Sequence, residues 1–198
     1  MIGIIGAMEE EVAALKSEMA DAKVTEFASM TFYKGTLCGK DAVVVRSGIG
    51  KVNAAICAQI LVDKFGVDTL INTGIAGSLD ARIDIGDMVI STDAVHHDMD
   101  ATIFGDAIGQ VPRMDTRTFP ADPHLVELAV KANEKANPQI HTFTGRVASG
   151  DQFISSGEVK ARIVENFQAL CTEMEGAGIA HAAYLNKVSY VIIRAISD

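Results

Sequence analysis

Two glutamates separated by a single residue are the first candidates for chemistry in this chain. Glu173 and Glu175 follow an apolar stretch and precede small residues and a helix-like run over 179–185. Carboxylates are rarely buried unless they are paired or used, and Gly176 and Gly178 allow a ligand or another backbone to come close. We therefore predict that both glutamates belong to a functional site. The alternative is that they only cap the following helix, because the positive end of a helix dipole favours acids.

A run of three acids near the start of the chain is the second candidate. The glutamates at 9–11 follow a short apolar run and open a segment whose apolar residues recur at helical spacing as far as Met19. Acids in the first turn of a helix are stabilised by its dipole without any catalytic role. The residues alone therefore favour a structural role for each of the three.

Strand-like and helix-like segments alternate along most of the chain. Strand patterns occur at 31–37, 41–46, 67–73, 83–91, 141–148 and 189–198, and helical spacing occurs at 54–65, 122–137 and 156–167. This alternation predicts a single α/β domain over residues 1–198, with three layers. Small-residue turns follow several of these strands, and ligands bind at the carboxyl ends of strands in such sheets.

Neither a metal site nor a disulfide is expected. The residues at 96–100, His-His-Asp-Met-Asp, are consecutive and cannot converge on one ion in a regular element. Cys38, Cys57 and Cys171 are odd in number, far apart and set among apolar residues, so we predict reduced thiols in the core.

Two further stretches are candidates for binding. The segment 101–120, which is broken by glycines and prolines, predicts a long loop, and loops of this length are usually functional or lie at an interface. We expect Phe153 and Ile154 to be exposed just after a predicted strand, where they would suit the face of an aromatic base, although packing in the core is the commoner use of such residues.

Composition excludes several classes of partner. Lys and Arg number 17 against 26 Asp and Glu, which gives a formal net charge of −9. This balance argues against nucleic acid and against an anionic membrane surface. The amino-terminal apolar run is too short for a signal peptide or a membrane span, and the cysteines fit a reducing compartment. We therefore expect a soluble, cytoplasmic protein.

Six motifs in order resemble those of the 5'-methylthioadenosine/S-adenosylhomocysteine nucleosidases, which belong to the wider purine nucleoside phosphorylase family. They are GIIGAMEEE at 3–11, SGIGK at 47–51, NTGIAG at 72–77, SGDQFI at 149–154, EME at 173–175 and RAISD at 194–198. The resemblance runs from the first residue to the last. It implies a nucleoside phosphorylase-like fold, three-layer α/β/α with a central mixed twisted sheet.

The resemblance also implies a role for each matched residue. Glu11 would be the general base that activates water, Asp198 the acid that protonates adenine N7, and Glu175 the group that holds the ribose hydroxyls. Phe153 would stack on the base, and the Ile154 backbone would hydrogen-bond it. The other implied binding positions in the same subunit are Met8, Ile49, Ile75, Glu173, Met174 and Ser197. Ala101, Phe104 and Pro112 would come from the partner subunit of a homodimer.

The implied chemistry is hydrolysis of an N-ribosidic bond through an oxocarbenium-like state. Two carboxyl groups of opposite protonation state suffice for it, so no metal or cofactor is expected. At pH 7 an ordinary aspartic acid is roughly 0.1% protonated, so a protonated Asp198 must be favoured by about 4 kcal/mol through desolvation or a hydrogen bond to the base. The expected partner is a small adenine nucleoside.

Two departures from the family stand out. Ile75 occupies a position where relatives often have serine or valine. In addition, the family continues beyond the residue that matches Asp198 with a loop and a helix that cover the site. We therefore expect a single nucleosidase domain over 1–198 that lacks its C-terminal helix, in a biological protein that is longer.

Two alternative functions remain open. A phosphorylase of the same fold would cleave the same bond with phosphate, but phosphate needs convergent basic groups, and only Arg46 and Lys51 lie near the glycine turns. A non-catalytic nucleoside-binding protein would keep the pocket without turnover. The preferred 5' substituent also stays open, since Ile49, Ala101, Phe104 and the expected C-terminal segment set it jointly.

Overall fold

The computed structural model describes residues 1–198, in which ten strands form one sheet and helices cover both of its faces. The strands are β1 (Ile2–Gly6), β2 (Ala20–Phe27), β3 (Met30–Leu37), β4 (Lys40–Arg46), β5 (Thr69–Ser78), β6 (Met88–His96), β7 (Phe119–Pro120), β8 (Thr142–Ser149), β9 (Cys171–Glu173) and β10 (Ser189–Ile196). The helices are α1 (Glu9–Ser17), α2 (Lys51–Phe65), α3 (Pro123–Ala136), α4 (Gly157–Phe167) and α5 (Gly176–Asn186), with a 3₁₀ turn at Thr102–Phe104.

The sheet is mixed and partly closes on itself. Its strand order is β10-β6-β8-β9-β5-β1-β4-β3-β2, with β7 paired to β6. β10 also pairs in parallel with β5, from Ser189 opposite Thr69 to Ile196 opposite Ala76, while it pairs antiparallel with β6. The strands β5, β9, β8, β6 and β10 therefore form a closed ring, and β1, β4, β3 and β2 extend from it.

Side chains that alternate along the strands separate two helix layers. On β1, Ile5 belongs to the larger apolar core with Leu61 of α2 and Ile179 of α5, whereas Ile4 packs with Val12 of α1. Successive strand residues point to opposite faces of a sheet. Helices α2 and α5 therefore lie on one face and α1 lies on the other.

The same alternation on β6 places α4. Ala94 faces the larger core, while Val95 packs with Ile163 and Phe167 of α4. Helix α3 rests on β6, β8 and β10, with Val126 against the larger core. The predicted three-layer α/β/α architecture with a mixed sheet is confirmed.

Most predicted elements are present, and some boundaries differ. The loop over 101–120 contains only the 3₁₀ turn and β7, and Asp122 caps α3 by accepting hydrogen bonds from the backbone N–H of His124 (2.9 Å) and Leu125 (3.3 Å). The strand predicted at 83–91 starts only at Met88, because the residues before it form turns: the N–H of Ile83 donates to the carbonyl of Asp80.

Three expectations from the sequence need correction. Helix α1 ends at Ser17, so Met19 leads into the unpredicted strand β2. Cys38 is exposed in the turn between β3 and β4, whereas the other two cysteines are buried as expected. Ile154 is buried in the core beneath α4 rather than exposed.

No helix is long and apolar enough to cross a membrane.

Candidate active site

One cavity of about 200 Å³ lies at the carboxyl ends of six strands, β1, β4, β5, β8, β9 and β10. All the site residues that the resemblance implies for a single subunit line it: Met8, Glu11, Ile49, Ile75, Phe153, Ile154, Glu173, Met174, Glu175, Ser197 and Asp198. The structure therefore gathers residues from both ends of the chain into one place.

Some lining residues were missed by the sequence reasoning, and three predicted ones lie elsewhere. Ala7, Ala76, Gly77, Gln152 and Thr172 also line the cavity. Of these only Gln152 had a signal, its place in the SGDQFI motif. Ala101, Phe104 and Pro112 do not line the cavity, and Phe104 is 85% exposed on the 3₁₀ turn.

Glu11 is held by backbone donors from two strand ends. Its Oε2 accepts hydrogen bonds from the N–H of Ala7 (2.6 Å) and of Met8 (2.9 Å), and its Oε1 accepts one from the N–H of Ile75 (3.2 Å). The first two bonds satisfy donors at the start of α1, so the helix-capping interpretation holds for this residue. The third bond fixes the carboxylate at the cavity wall, between β1 and β5.

Glu173 is buried, and its carboxylate is bonded to several partners. It accepts hydrogen bonds from the N–H of Glu175 (3.1 Å) and of Gly176 (2.8 Å), which are donors at the start of α5. It also accepts a hydrogen bond from the Ser149 hydroxyl and forms an ion pair with Arg194. The capping interpretation therefore applies to Glu173, although the residue also lines the cavity.

Arg194 was not assigned a role from the sequence, yet it organises the acids. Its side chain is 1% exposed, and its Nη2 donates to Asn72 Oδ1 (2.5 Å) and to Glu173, and lies 3.6 Å from Glu175 Oε2. A charged residue inside the apolar run of β10 was the available signal, because buried charges need partners of opposite sign.

Glu175 presents a carboxylate that is only partly compensated. Its Oε1 accepts a hydrogen bond from the N–H of Gly50 (2.9 Å), in the turn between β4 and α2. Burial and the neighbouring Glu173 charge raise the pKa of Glu175 to about 7, although Arg194 and the Gly50 N–H oppose them. The position is therefore poised between its charged and neutral forms near neutral pH.

Asp198 stands at the more open side of the cavity. Its side chain is 45% exposed, its Oδ1 accepts a hydrogen bond from the Ser197 hydroxyl (2.9 Å), and Lys160 Nζ lies 3.6 Å from its Oδ2. Its backbone carbonyl accepts a hydrogen bond from the N–H of Ser78 (2.7 Å), which ties this stretch to the end of β5.

The histidine-rich stretch at the end of β6 contacts two helices, α5 and α2. His96 Nε2 lies 3.3 Å from His181 Nδ1 of α5, and Asp98 forms an ion pair with Lys51. No group of three or more His, Cys, Asp or Glu side chains has an arrangement that could hold a metal ion.

The arrangement suits acid and base chemistry next to a developing positive charge. Glu11 and Asp198 reach the cavity from different elements, and the acids at 173 and 175 form an anionic wall with one arginine behind it. Apolar residues, among them Phe153 and Ile49, supply flat and aliphatic surface beside these charges. Such a cavity fits a molecule with an aromatic base, a polyhydroxyl ring and an apolar end.

Comparison with known proteins agrees with this geometry. A family model described as the phosphorylase superfamily matches residues 1–198. A protein of Staphylococcus saprophyticus named 5'-methylthioadenosine/S-adenosylhomocysteine nucleosidase is 46% identical over 200 residues, which cover 100% of this chain and 86% of that protein. A protein of the same name from Colwellia psychrerythraea is 46% identical over 201 residues, which cover 99% of this chain and 82% of that protein.

Solved structures give the same result. The nucleosidase of Neisseria meningitidis in complex with methylthio-immucillin-A has a TM-score of 0.95 and 40% identity, covering 100% of this chain and 85% of that one. The nucleosidase of Colwellia psychrerythraea in complex with adenine also has a TM-score of 0.95, with 46% identity, covering 100% of this chain and 81% of that one. This chain therefore belongs to the phosphorylase superfamily and, within it, to the 5'-methylthioadenosine/S-adenosylhomocysteine nucleosidases.

Proposed function

We propose that Glu11 and Asp198 are the base and the acid of the family's reaction in this chain. That reaction is hydrolysis of the N-glycosidic bond of 5'-methylthioadenosine and S-adenosylhomocysteine, which releases adenine and the 5'-thio-ribose. The observation that carries the assignment is that one cavity collects Glu11, Glu175 and Asp198 from the two ends of the chain.

Glu11 takes a proton from the attacking water. Three backbone N–H groups fix its carboxylate, and its Oε1 makes only one of these bonds, at 3.2 Å. Oε1 therefore retains a lone pair for a water molecule. A base held by backbone rather than by side chains needs little reorganisation when the proton moves.

Asp198 gives a proton to adenine N7 as the bond to the ribose breaks. The half-exposed carboxyl group sits beside Lys160 and Ser197. A purine that enters the cavity displaces water from it and supplies N7 as the acceptor. Protonation of the base makes it a better leaving group, which general acid catalysis requires.

Glu175 accepts hydrogen bonds from the ribose hydroxyls. It lies on the anionic wall with Glu173, where the ring acquires positive charge in the oxocarbenium-like state. Its ionised form is costly to bury, as its raised pKa of about 7 indicates. The wall therefore stabilises a cationic ring more than a neutral one, which is the condition for catalysis.

Phe153 and Ile154 form the base subsite. Phe153 exposes 78% of its surface at the cavity mouth, while Ile154 is buried and contributes its backbone. Stacking of a base on an aromatic side chain is worth about 1–3 kcal/mol and tolerates any purine. Met8 and Ile49 line the end that receives the alkylthio group.

A second copy of the chain completes that end of the pocket. Phe104 and Ile103 are 85% and 87% exposed, as a pair of large apolar residues on the 3₁₀ turn, and Val52 on α2 is 68% exposed. Exposed apolar groups of this kind mark interaction surfaces. In a homodimer, the exposed Phe104 and Pro112 of each subunit would reach the other subunit's cavity. Ala101 is buried in its own subunit and accepts a hydrogen bond from the Phe104 N–H, so it would support the turn that carries Phe104.

Water rather than phosphate is the nucleophile. Lys51 is paired with Asp98, and Arg194 is paired with two glutamates, so neither cation is free for phosphate. Arg46 is exposed and does not line the cavity. A phosphate ion would meet the Glu11 carboxylate, and like charges repel.

Adenine release from 5'-methylthioadenosine in phosphate-free buffer tests the assignment. Glu11→Gln and Asp198→Asn should each lower kcat by at least about 100-fold, the usual effect of losing a general base or acid. Glu10→Gln is the matched control, because Glu10 is exposed on the same helical turn and does not line the cavity. Full activity of Glu11→Gln, or a requirement for phosphate, would refute the roles proposed here.

A further inference from the structure

Three loops around the cavity are joined by polar contacts that the reaction itself does not use. They are the turn before α2, the segment after β6 and the segment after β8. Lys51, the first residue of α2 directly after that turn, bonds to Asp98 and Asp151 from the other two segments, and these two bond to each other. We call these three residues the loop latch.

The three residues of the loop latch form a closed set of contacts. Lys51 Nζ forms an ion pair with Asp98 Oδ1. The N–H of Asp151 donates to Asp98 Oδ2 (2.9 Å), and the N–H of Lys51 donates to Asp151 Oδ1 (2.8 Å). Each residue therefore contacts both of the others, and no loop can move without breaking a charge-assisted bond.

The central ion pair is shielded from water. The side chains of Lys51 and Asp98 are 15% and 18% exposed, so the pair is screened less than a surface ion pair. Burial alone would raise the pKa of Asp98, but Lys51 and the Asp151 N–H hold that pKa below its ordinary value. The Asp98 carboxylate is thus ionised and engaged on both oxygens.

The backbone is shaped to let the loops approach. Gly50 has a φ of 97°, and a Cβ atom there would lie 3.2 Å from Asp151 Oδ1. A side chain at this position would be strained in its backbone conformation and crowded against the latch.

None of the three residues lines the cavity, but Lys51 and Asp151 each lie within two residues of one that does, and Asp98 bonds to both of them. Lys51 follows Ile49 and Gly50, and the Gly50 N–H binds the Glu175 carboxylate. Asp151 is followed by Gln152 and Phe153. We propose that Lys51, Asp98 and Asp151 are positioning residues that hold the Phe153 loop, which binds the base, in register with Glu175, which binds the ribose.

This inference rests on the proposed function and predicts a particular kinetic pattern. If the latch only positions the loops, a bound substrate can restore the arrangement at the expense of binding energy. The binding energy used in this way weakens the substrate complex and the transition state equally, so KM rises while kcat is retained. A role in stability alone would lower the active fraction and therefore the apparent kcat, and KM would not change.

The test compares Lys51→Met, Asp98→Asn and the double variant in the full chain. Each single variant should raise KM for 5'-methylthioadenosine and Kd for adenine about tenfold, with kcat within about threefold of the wild type, as expected for one charge-assisted bond. The double variant should raise KM and the adenine Kd about as much as either single variant does, because each of the three proteins lacks the same ion pair.

Lys131→Met is the matched control. It removes an ion pair with Glu127 that is 66% and 59% exposed on α3, and it should change neither KM nor the adenine Kd. Calorimetric titration with adenine gives Kd without relying on turnover. The proposed role of the loop latch would be wrong if the latch variants bound adenine with an unchanged Kd. It would also be wrong if the effects of the two single variants on the adenine Kd added up in the double variant. An active Glu11→Gln would overturn the assigned base and leave the latch result standing.

Discussion

Replacing Glu175 by glutamine should make the protein more stable and less active at the same time. Burial and the Glu173 charge raise the pKa of Glu175 to about 7, from an ordinary 4.5. Each pKa unit is worth 1.36 kcal/mol, so above pH 7 the native state carries a penalty of about 3 kcal/mol for this charge. Glutamine removes the charge and keeps an oxygen for the Gly50 N–H. The attraction of Arg194 is already included, because the pKa compares the charged and neutral forms.

The gain in stability should depend on pH in a defined direction. A raised carboxyl pKa means that the native state holds its proton between pH 4.5 and 7 while the unfolded state has lost it, so the penalty grows as pH rises through that window. Glu175→Gln should therefore add about 3 kcal/mol to the free energy of unfolding at pH 8, but only about 1 kcal/mol at pH 5. For a chain of this size, the pH 8 value corresponds to a rise in Tm of roughly 6–12 °C.

The assay is thermal unfolding of both proteins at pH 8 and pH 5, with adenine release measured on the same samples. The wild-type kcat/KM should fall below pH 7 as Glu175 is protonated. In Glu175→Gln, kcat/KM should be about 10- to 100-fold lower, since the ribose hydroxyls lose a charged acceptor, and the acid limb assigned to Glu175 should disappear. A lower Tm at pH 8, or an equal change in Tm at both pH values, would refute this reasoning.

Three other perturbations probe separate parts of the structure. Phe153→Ala should raise the adenine Kd by roughly 5- to 150-fold, because stacking on one aromatic ring is worth about 1–3 kcal/mol; calorimetry measures it, and an unchanged Kd would rule out stacking. Gly74→Ala should lower kcat/KM strongly and also reduce Tm. The new Cβ would overlap Arg194 Nη1 and lie 2.5 Å from Glu11 Oε1. If the variant had the kinetics of the wild type, these groups would be able to move apart freely. Burial and Lys51 lower the pKa of His96 to about 4, so the unfolded state takes up a proton first as pH falls from 6.5, and stability should drop by about 3 kcal/mol by pH 4. Chemical denaturation against pH measures this drop, and His96→Gln should flatten that part of the curve; an unchanged slope would assign the acid sensitivity to other groups.

The elements that could be predicted from the sequence are those with local signals. The Asp-Pro pair before α3 is a capping signal that matches the structure. The helix-like run over 179–185 lies within α5, which begins three residues earlier, at Gly176. Strand β2 could not be predicted in this way. Seven of its eight residues are exposed, so neither face of the strand is buried in the core, and pairing with β3 makes it a strand.

The candidate site was predictable in its residues but not in its geometry. Motifs resembling the nucleosidases named the acids, whereas the residues alone favoured helix capping for the glutamates at 9–11. In the structure, the capping role and the place in the site both apply to Glu11, because it caps α1 and also faces the cavity. Arg194 and the loop latch depend on contacts across 19 to 122 residues of sequence, and no local pattern encodes such contacts.

The insertion of β10 between β5 and β6 has a consequence for synthesis of the protein. Ser189 pairs with Thr69, so β5 is made long before its neighbour on this side. Until then the edges of β5 and β6 present unpaired N–H and C=O groups, which can pair with other copies of the chain. A nascent chain that stops short of β10 also lacks Arg194, so its buried glutamates would have no counter-charge. We therefore expect ribosome-bound intermediates to depend on chaperones until the ring of strands closes.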